Sequence, residues 1–316
     1  MTWLSRFWKT LKGAAVAFND DNCVKLSAAL SYYTIFSIGP LLIIVISLAA
    51  LFFGKEAVEG KLYGQISGLI GSSAAIQIQD IIKNSHREGS GIIGTVVGGV
   101  ILIVGATGIF TEIQDSINFI WSLRAKPKRG FLRFLRNRLI SFSLIVSLGF
   151  LLLVSLMASA ILELLSDRLT SIFPNTTVHI LYAFDWLLVL VVITVLFAII
   201  FKVLPDGKIK WKDAMIGSSF SAVLFVIGKA AIGYYIGNSS LGITYGAAAS
   251  VIIILVWVYY TSIILYFGAE FTKVYALEFG GGIVPSQTAV FIIKREAKEI
   301  ETAPEALAGK HVDQPL

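Results

Sequence analysis

The sequence predicts an all-α fold, a polytopic membrane helix bundle, and three observations carry that reading. Apolar runs of ~20 residues or more, enough to cross a bilayer, recur along the chain. Charged residues make up 15% of the 316 residues and hydrophobic ones 56%, where a soluble domain carries about 25% charged residues. Lys and Arg concentrate in alternate connections between the apolar runs, as they do in multi-pass proteins.

Residues 1–26 form the first element. Trp3, Leu4, Phe7, Trp8, Leu11, Ala15 and Phe18 recur at three- and four-residue spacing, which places them on one helical face. Arg6, Lys9 and Lys12 fall on the other side. This is the pattern of a basic amphipathic helix lying in the membrane surface, and it lacks the continuous apolar core of a secretory signal.

The membrane domain is expected over residues 27–279, with six spans near 27–53, 92–115, 139–163, 180–203, 213–236 and 244–273. Arg6, Lys9, Lys12 and Lys25 precede the first span. Arg124, Lys126, Lys128, Arg129, Arg133, Arg136 and Arg138 lie between the second and third. Lys202, Lys208, Lys210 and Lys212 join the fourth to the fifth, and Lys273, Lys294, Arg295, Lys298 and Lys310 follow the sixth. The opposite side holds Lys55, Lys61, Lys83, Arg87 and Arg168. The basic side faces the cytoplasm, so both termini are expected there. The 54–91 connection has no net charge, and its Leu62, Ile66, Leu69 and Ile70 suggest an extracytoplasmic amphipathic helix. Residues 280–316 form a polar cytoplasmic tail with its end expected to be disordered.

Several function classes have no support. Cys23 is the single cysteine, so there is no intramolecular disulfide, and His86, His179 and His311 are far apart in the chain. No catalytic residue, metal ligand or cofactor is expected, and no ATP-binding glycine loop occurs. The net charge of +6 follows from the cytoplasmic connections and does not imply nucleic acid. The stretch KPKRGFLRFLRNRL at 126–139 sets Arg129, Arg133 and Arg136 among Phe and Leu. It joins two spans and suits an anionic leaflet, where each cation contributes ~1 kcal/mol, better than RNA.

Four stretches carry a family resemblance: AALSYYTIFSIGPLL (28–42), GATGIFTEIQDSINFIW (105–121), LPDGKIKWKDAMIG (204–217) and YGAAASVIIILVWVYYTSIILYFGAEF (245–271). Together they resemble the YihY/BrkB family of bacterial inner-membrane proteins, from about residue 5 to 280. The resemblance implies six helices with cytoplasmic termini and an inner-membrane location. Members have carried ribonuclease BN and virulence-factor labels, so the resemblance implies no settled activity.

The candidate site residues are polar groups at membrane depth. At ~1.5 Å per residue, Glu112 lies ~30 Å along the second span, at its cytoplasmic edge. Thr111, Asp115, Asn118 and Ser122 share a helical face that Glu112 flanks. They read either as interfacial groups paired with the basic loop or as the lining of a cavity's inner mouth. Glu270 reaches the same level, with Arg133, Arg136 and Lys202 as cationic candidates. Asp185 and Lys229 match in depth near the outer leaflet and form a candidate pair, although a lysine so shallow can also snorkel. Pro40 interrupts the first span below Tyr32, Tyr33 and Ser37, either as a packing kink or as the broken helix of a substrate site.

These features favour a transporter or flippase of an amphipathic, lipid-like or anionic substrate. The alternative is a scaffold or envelope-integrity protein with no substrate. A ribonuclease is least favoured, because metal-dependent nucleases need clustered ligands. The expected partners are the phospholipid membrane, a lipid-like substrate and, as an option the sequence leaves open, a second copy of the chain.

Overall fold

The computed structural model of the chain describes residues 3–37, 105, 108–126, 176–237, 249–287 and 289–293. The described part is mostly helical. Helix α1 spans Trp3–Asp20, α2 covers residues 23–37, and α3 covers 108–120. Helix α4 spans Thr176–Val203, α5 Trp211–Gly237 and α6 Ala249–Glu278. The bounds of α4 and α5 lie close to those expected for the fourth and fifth apolar segments, which are helical. Helix α6 runs about five residues further toward the C-terminus than the sequence pattern suggests.

Helices α4, α5 and α6 are apolar around most of their circumference, as helices with apolar surroundings on all sides must be. Among the described residues, one helix, Val251–Glu278, is long and apolar enough to cross a membrane, and Val189–Val203 is a shorter apolar stretch. Only 28% of the most apolar window of that long helix is buried inside the protein. The rest of that window is partly or wholly accessible on the surface of the chain, an apolar surface that suits an apolar environment. The expected spans at 92–115 and 139–163 lie largely or wholly outside the described residues, as do the 54–91 connection and Pro40.

Helix α5 packs between α4 and α6, and α1 lies along α6. The α5–α6 contact is close because small residues face one another. A side chain at Gly217 would run into Thr272, and one at Gly268 into Ser221, the small-residue packing favoured where helices meet in membranes. Aromatic rings fill the space beside it, with Phe220 stacked on Phe271 at 4.1 Å and Phe7 of α1 5.8 Å from Phe271. Between α1 and α2, Asn22 takes a positive φ of 51°, which asparagine tolerates better than most residues.

Two short antiparallel pairings lie outside the all-α expectation. Strand β1, Leu123–Ala125, pairs with β4, Ala289–Phe291. Strand β2, Gly207–Lys208, pairs with β3, Val284–Pro285. The segment after α6 thus folds back onto the connections before α5 and after α3. The alternation signal in strands of two or three residues is too short to read from sequence.

Candidate functional site

Two regions of the helix bundle hold the candidate residues: a hydrogen-bonded base where the connections meet, and an apolar cleft beside it.

The base is organised by side chains that tie separate segments together. Asn118 of α3 is buried and grips Asp206 twice. Its amide donates to the Asp206 carboxylate at 3.0 Å, and its carbonyl oxygen accepts the Asp206 backbone N–H at 2.8 Å. The connection between α4 and α5 is thereby fixed to the end of α3. The Trp121 indole donates to the Ala269 carbonyl of α6 at 3.1 Å. Asp213, in the first turn of α5, accepts from the Gly281 N–H at 2.9 Å. The Lys202 ammonium donates to the Ile209 carbonyl and lies over the Trp211 ring.

Glu270 is fully buried. Its carboxylate meets the Lys273 ammonium at 3.0 Å, and that ammonium also reaches Asp21 at 3.3 Å. The Cys23 thiol stands 3.9 Å from the other Glu270 oxygen. A buried carboxylate needs such a partner, since an unpaired one is costly in low dielectric. The partner of Glu270 differs from the cations expected in the connections. Lys202 is engaged elsewhere, and Arg133 and Arg136 lie outside the described residues, as does Arg129. The Glu270–Lys273 spacing of three residues on one helix was available in the sequence. Asp21 was not a candidate, because only the turn at Asn22 carries it to α6.

The polar stripe expected on α3 is divided by the fold. Asn118 is buried, Thr111 and Glu112 are half-buried, and Asp115 is exposed. Ser122 leaves the face altogether, because the helix ends at 120 and Ser122 takes a positive φ of 55°. Glu112 lies beside Ser116 and Asp115. Facing them is the hydroxyl of Tyr266, which is wholly buried and has no hydrogen-bond partner of ordinary geometry among the described residues.

The cleft has a volume of about 380 Å³ and draws residues from each of α2 to α6, among them Thr34, Ile113, Ile193, Phe225, Trp257 and Ser262. Its hydroxyls are spent on their own helices: Thr34 donates to the Leu30 carbonyl at 2.7 Å and Ser262 to that of Val258 at 2.7 Å. The surface offered to an occupant is therefore almost purely apolar. Its size falls in the ~300–1,000 Å³ range of ligand pockets. Tyr32 and Tyr33 do not line it. They are exposed on the outer side of α2, where Tyr32 packs edge-on against Tyr33 and Phe36. Ser37 is buried, close to Gly108 of α3.

Lys229 is exposed on α5. Asp185 falls within α4, but its side chain lies outside the described residues, and with it the expected pair.

On α1 the basic residues are surface groups. Lys9 bridges to Glu278 at 3.1 Å, Arg6 lies over the Phe279 ring, and Lys12 lies over Trp8. The apolar residues share one face of the helix, and only part of that face meets the bundle. Phe7 and Phe18 pack against the bundle, while Leu4 and Trp8 are left exposed.

Comparison with known proteins decides the family. Residues 14–290 match the family model described as "Virulence factor BrkB". The chain belongs to the BrkB family. Its relatives include a "UPF0761 membrane protein" of Alcanivorax borkumensis, 27% identical over 262 residues, covering 81% of this chain and 58% of the relative. Another, of Saccharophagus degradans, is 27% identical over 259 residues, covering 82% and 58%. One of Vibrio vulnificus is 28% identical over 262 residues, covering 80% and 78%. The chain spans less than two thirds of the length of the first two. No solved structure matches. This BrkB-family chain is thus a bacterial membrane protein, a location that suits the apolar surface of α6.

Proposed function

We propose that this BrkB-family protein is a six-span inner-membrane protein with both termini cytoplasmic, and that it moves an amphipathic, lipid-like substrate between leaflets. The observation that carries this reading is the apolar cleft among α2 to α6. An acyl chain suits a space whose hydroxyls are already bonded to their own helices. Half-buried Glu112 of α3 adjoins the cleft-lining Ile113, with the buried Tyr266 hydroxyl beside it. That polar spot next to an apolar space suits a headgroup paired with a chain. The charge distribution among the connections supports the orientation. Nothing in this reading assigns catalysis to the protein.

The scaffold reading draws on a different observation. Glu270, Lys273, Asp21, Asn118 and Asp206 hold one another, as residues that serve assembly would. In the proposal these residues position the helices around the cleft, and the substrate path avoids them.

The test is leaflet exchange of fluorescent anionic lipid in liposomes carrying the purified protein. Exchange is expected with the native chain and is expected to be lost in Ile193→Trp, which fills the cleft. Failure of the folded native protein to exchange any lipid offered overturns the reading.

A further inference from the structure

A second groove lies on the opposite side of α5 from the cleft, where α1 meets α5 and α6. It has a volume of about 600 Å³. Its walls are apolar, built from Met215 and Val223 of α5 with Phe220 and Phe271 behind them, and Arg6 and Lys212 line the same groove. Among the described residues neither cation takes part in an ion pair. Arg6 rests over the Phe279 ring. Met215 and Val223 are exposed, and they continue along α5 into Ile227, also exposed. The spacing of Met215, Val223 and Ile227 puts them on one stripe of the helix, so the groove opens onto a surface that the membrane must cover.

Two cations beside an apolar trough that runs along a membrane helix match one ligand class. We propose that this groove binds an anionic phospholipid, with the headgroup phosphate at Arg6 and Lys212 and an acyl chain along Met215 and Val223. Arginine offers planar paired donors to a phosphate, and lysine adds a compact charge. The lipid joins α1 to the bundle from outside, in a space separate from the cleft. The assignment therefore does not depend on transport.

Native mass spectrometry of the full chain in detergent, titrated with dioleoyl-phosphatidylglycerol or dioleoyl-phosphatidylcholine, tests it. The native protein is expected to retain the anionic lipid preferentially. Arg6→Gln with Lys212→Gln is expected to weaken that retention by roughly thirtyfold, the product of two headgroup contacts. Val223→Trp, at an exposed position, is expected to lower retention of both lipids with an unchanged melting temperature. Ile193→Trp, in the cleft, is expected to leave the preference for the anionic lipid over phosphatidylcholine intact. Equal retention of the two lipids by the native chain overturns the proposal. So does an unchanged preference in the double variant, undiminished retention in Val223→Trp, or loss of the anionic preference in Ile193→Trp.

Discussion

Around Lys273 and Asn118, polar side chains from distant segments hold one another. Around Thr34 and Ser262, they are turned back onto their own helices and leave an apolar space. The base is rich in charge yet closed, because each carboxylate described there is matched to a donor. The cleft is poor in charge yet open. The contrast teaches that charge within a membrane helix need not mark the working part. A buried carboxylate is stable only when it is paired, and pairing uses up the group that a substrate would meet. Space lined by saturated hydroxyls is free to take an apolar ligand.

Removing Lys273 is the strongest way to break this comparison. Lys273→Met leaves Glu270 and Asp21 buried beside each other without their cation, and a loss of ~3–5 kcal/mol is expected. Thermal unfolding in detergent measures it. Glu270→Gln is expected to be milder, since it lowers the excess of negative charge. A Lys273→Met protein as stable as the native one would show that the base does not hold the fold.

Packing between α5 and α6 comes next. Gly268→Val forces a side chain into Ser221, and such overpacking costs typically ~1–3 kcal/mol. The same melting experiment, repeated with Ser221→Gly as a second change, is expected to recover part of the loss.

Tyr266→Phe sharpens the contrast from the side of the cleft. The hydroxyl has no good partner among the described residues to lose, so stability is expected to change by less than ~1 kcal/mol. Lipid exchange in liposomes is expected to fall. A fall in stability without a fall in exchange would assign Tyr266 to the base instead.

The smallest effect belongs to the surface. The Lys9–Glu278 bridge is half-exposed on the lysine side, so Lys9→Ala is expected to cost no more than ~0.2–1 kcal/mol, and less at high salt.

Much of the helical architecture was legible in the sequence. The apolar runs that became α4, α5 and α6 set their own positions, because a long apolar run satisfies its backbone internally as a helix and needs only length and apolarity. The amphipathic period of residues 3–18 marked α1 in the same way. The candidate site was legible only in part. Glu270, Asn118 and Glu112 stood out as polar groups in apolar surroundings, but their partners did not. Asp206 meets Asn118 across 88 positions and Asp21 meets Lys273 across 252. No local period encodes contacts of that range.

By itself the sequence determined the class of environment and the family motifs, since hydropathy, charge placement and short motifs are local properties. Tertiary structure decided which polar groups neutralise one another, that Tyr32 and Tyr33 face outward while Thr34 lines the cleft, and that Val284–Pro285 and Ala289–Phe291 return to pair with β2 and β1. Each of these depends on how helices rotate and pack against neighbours, and that rotation is fixed by the whole set of contacts and by no one segment.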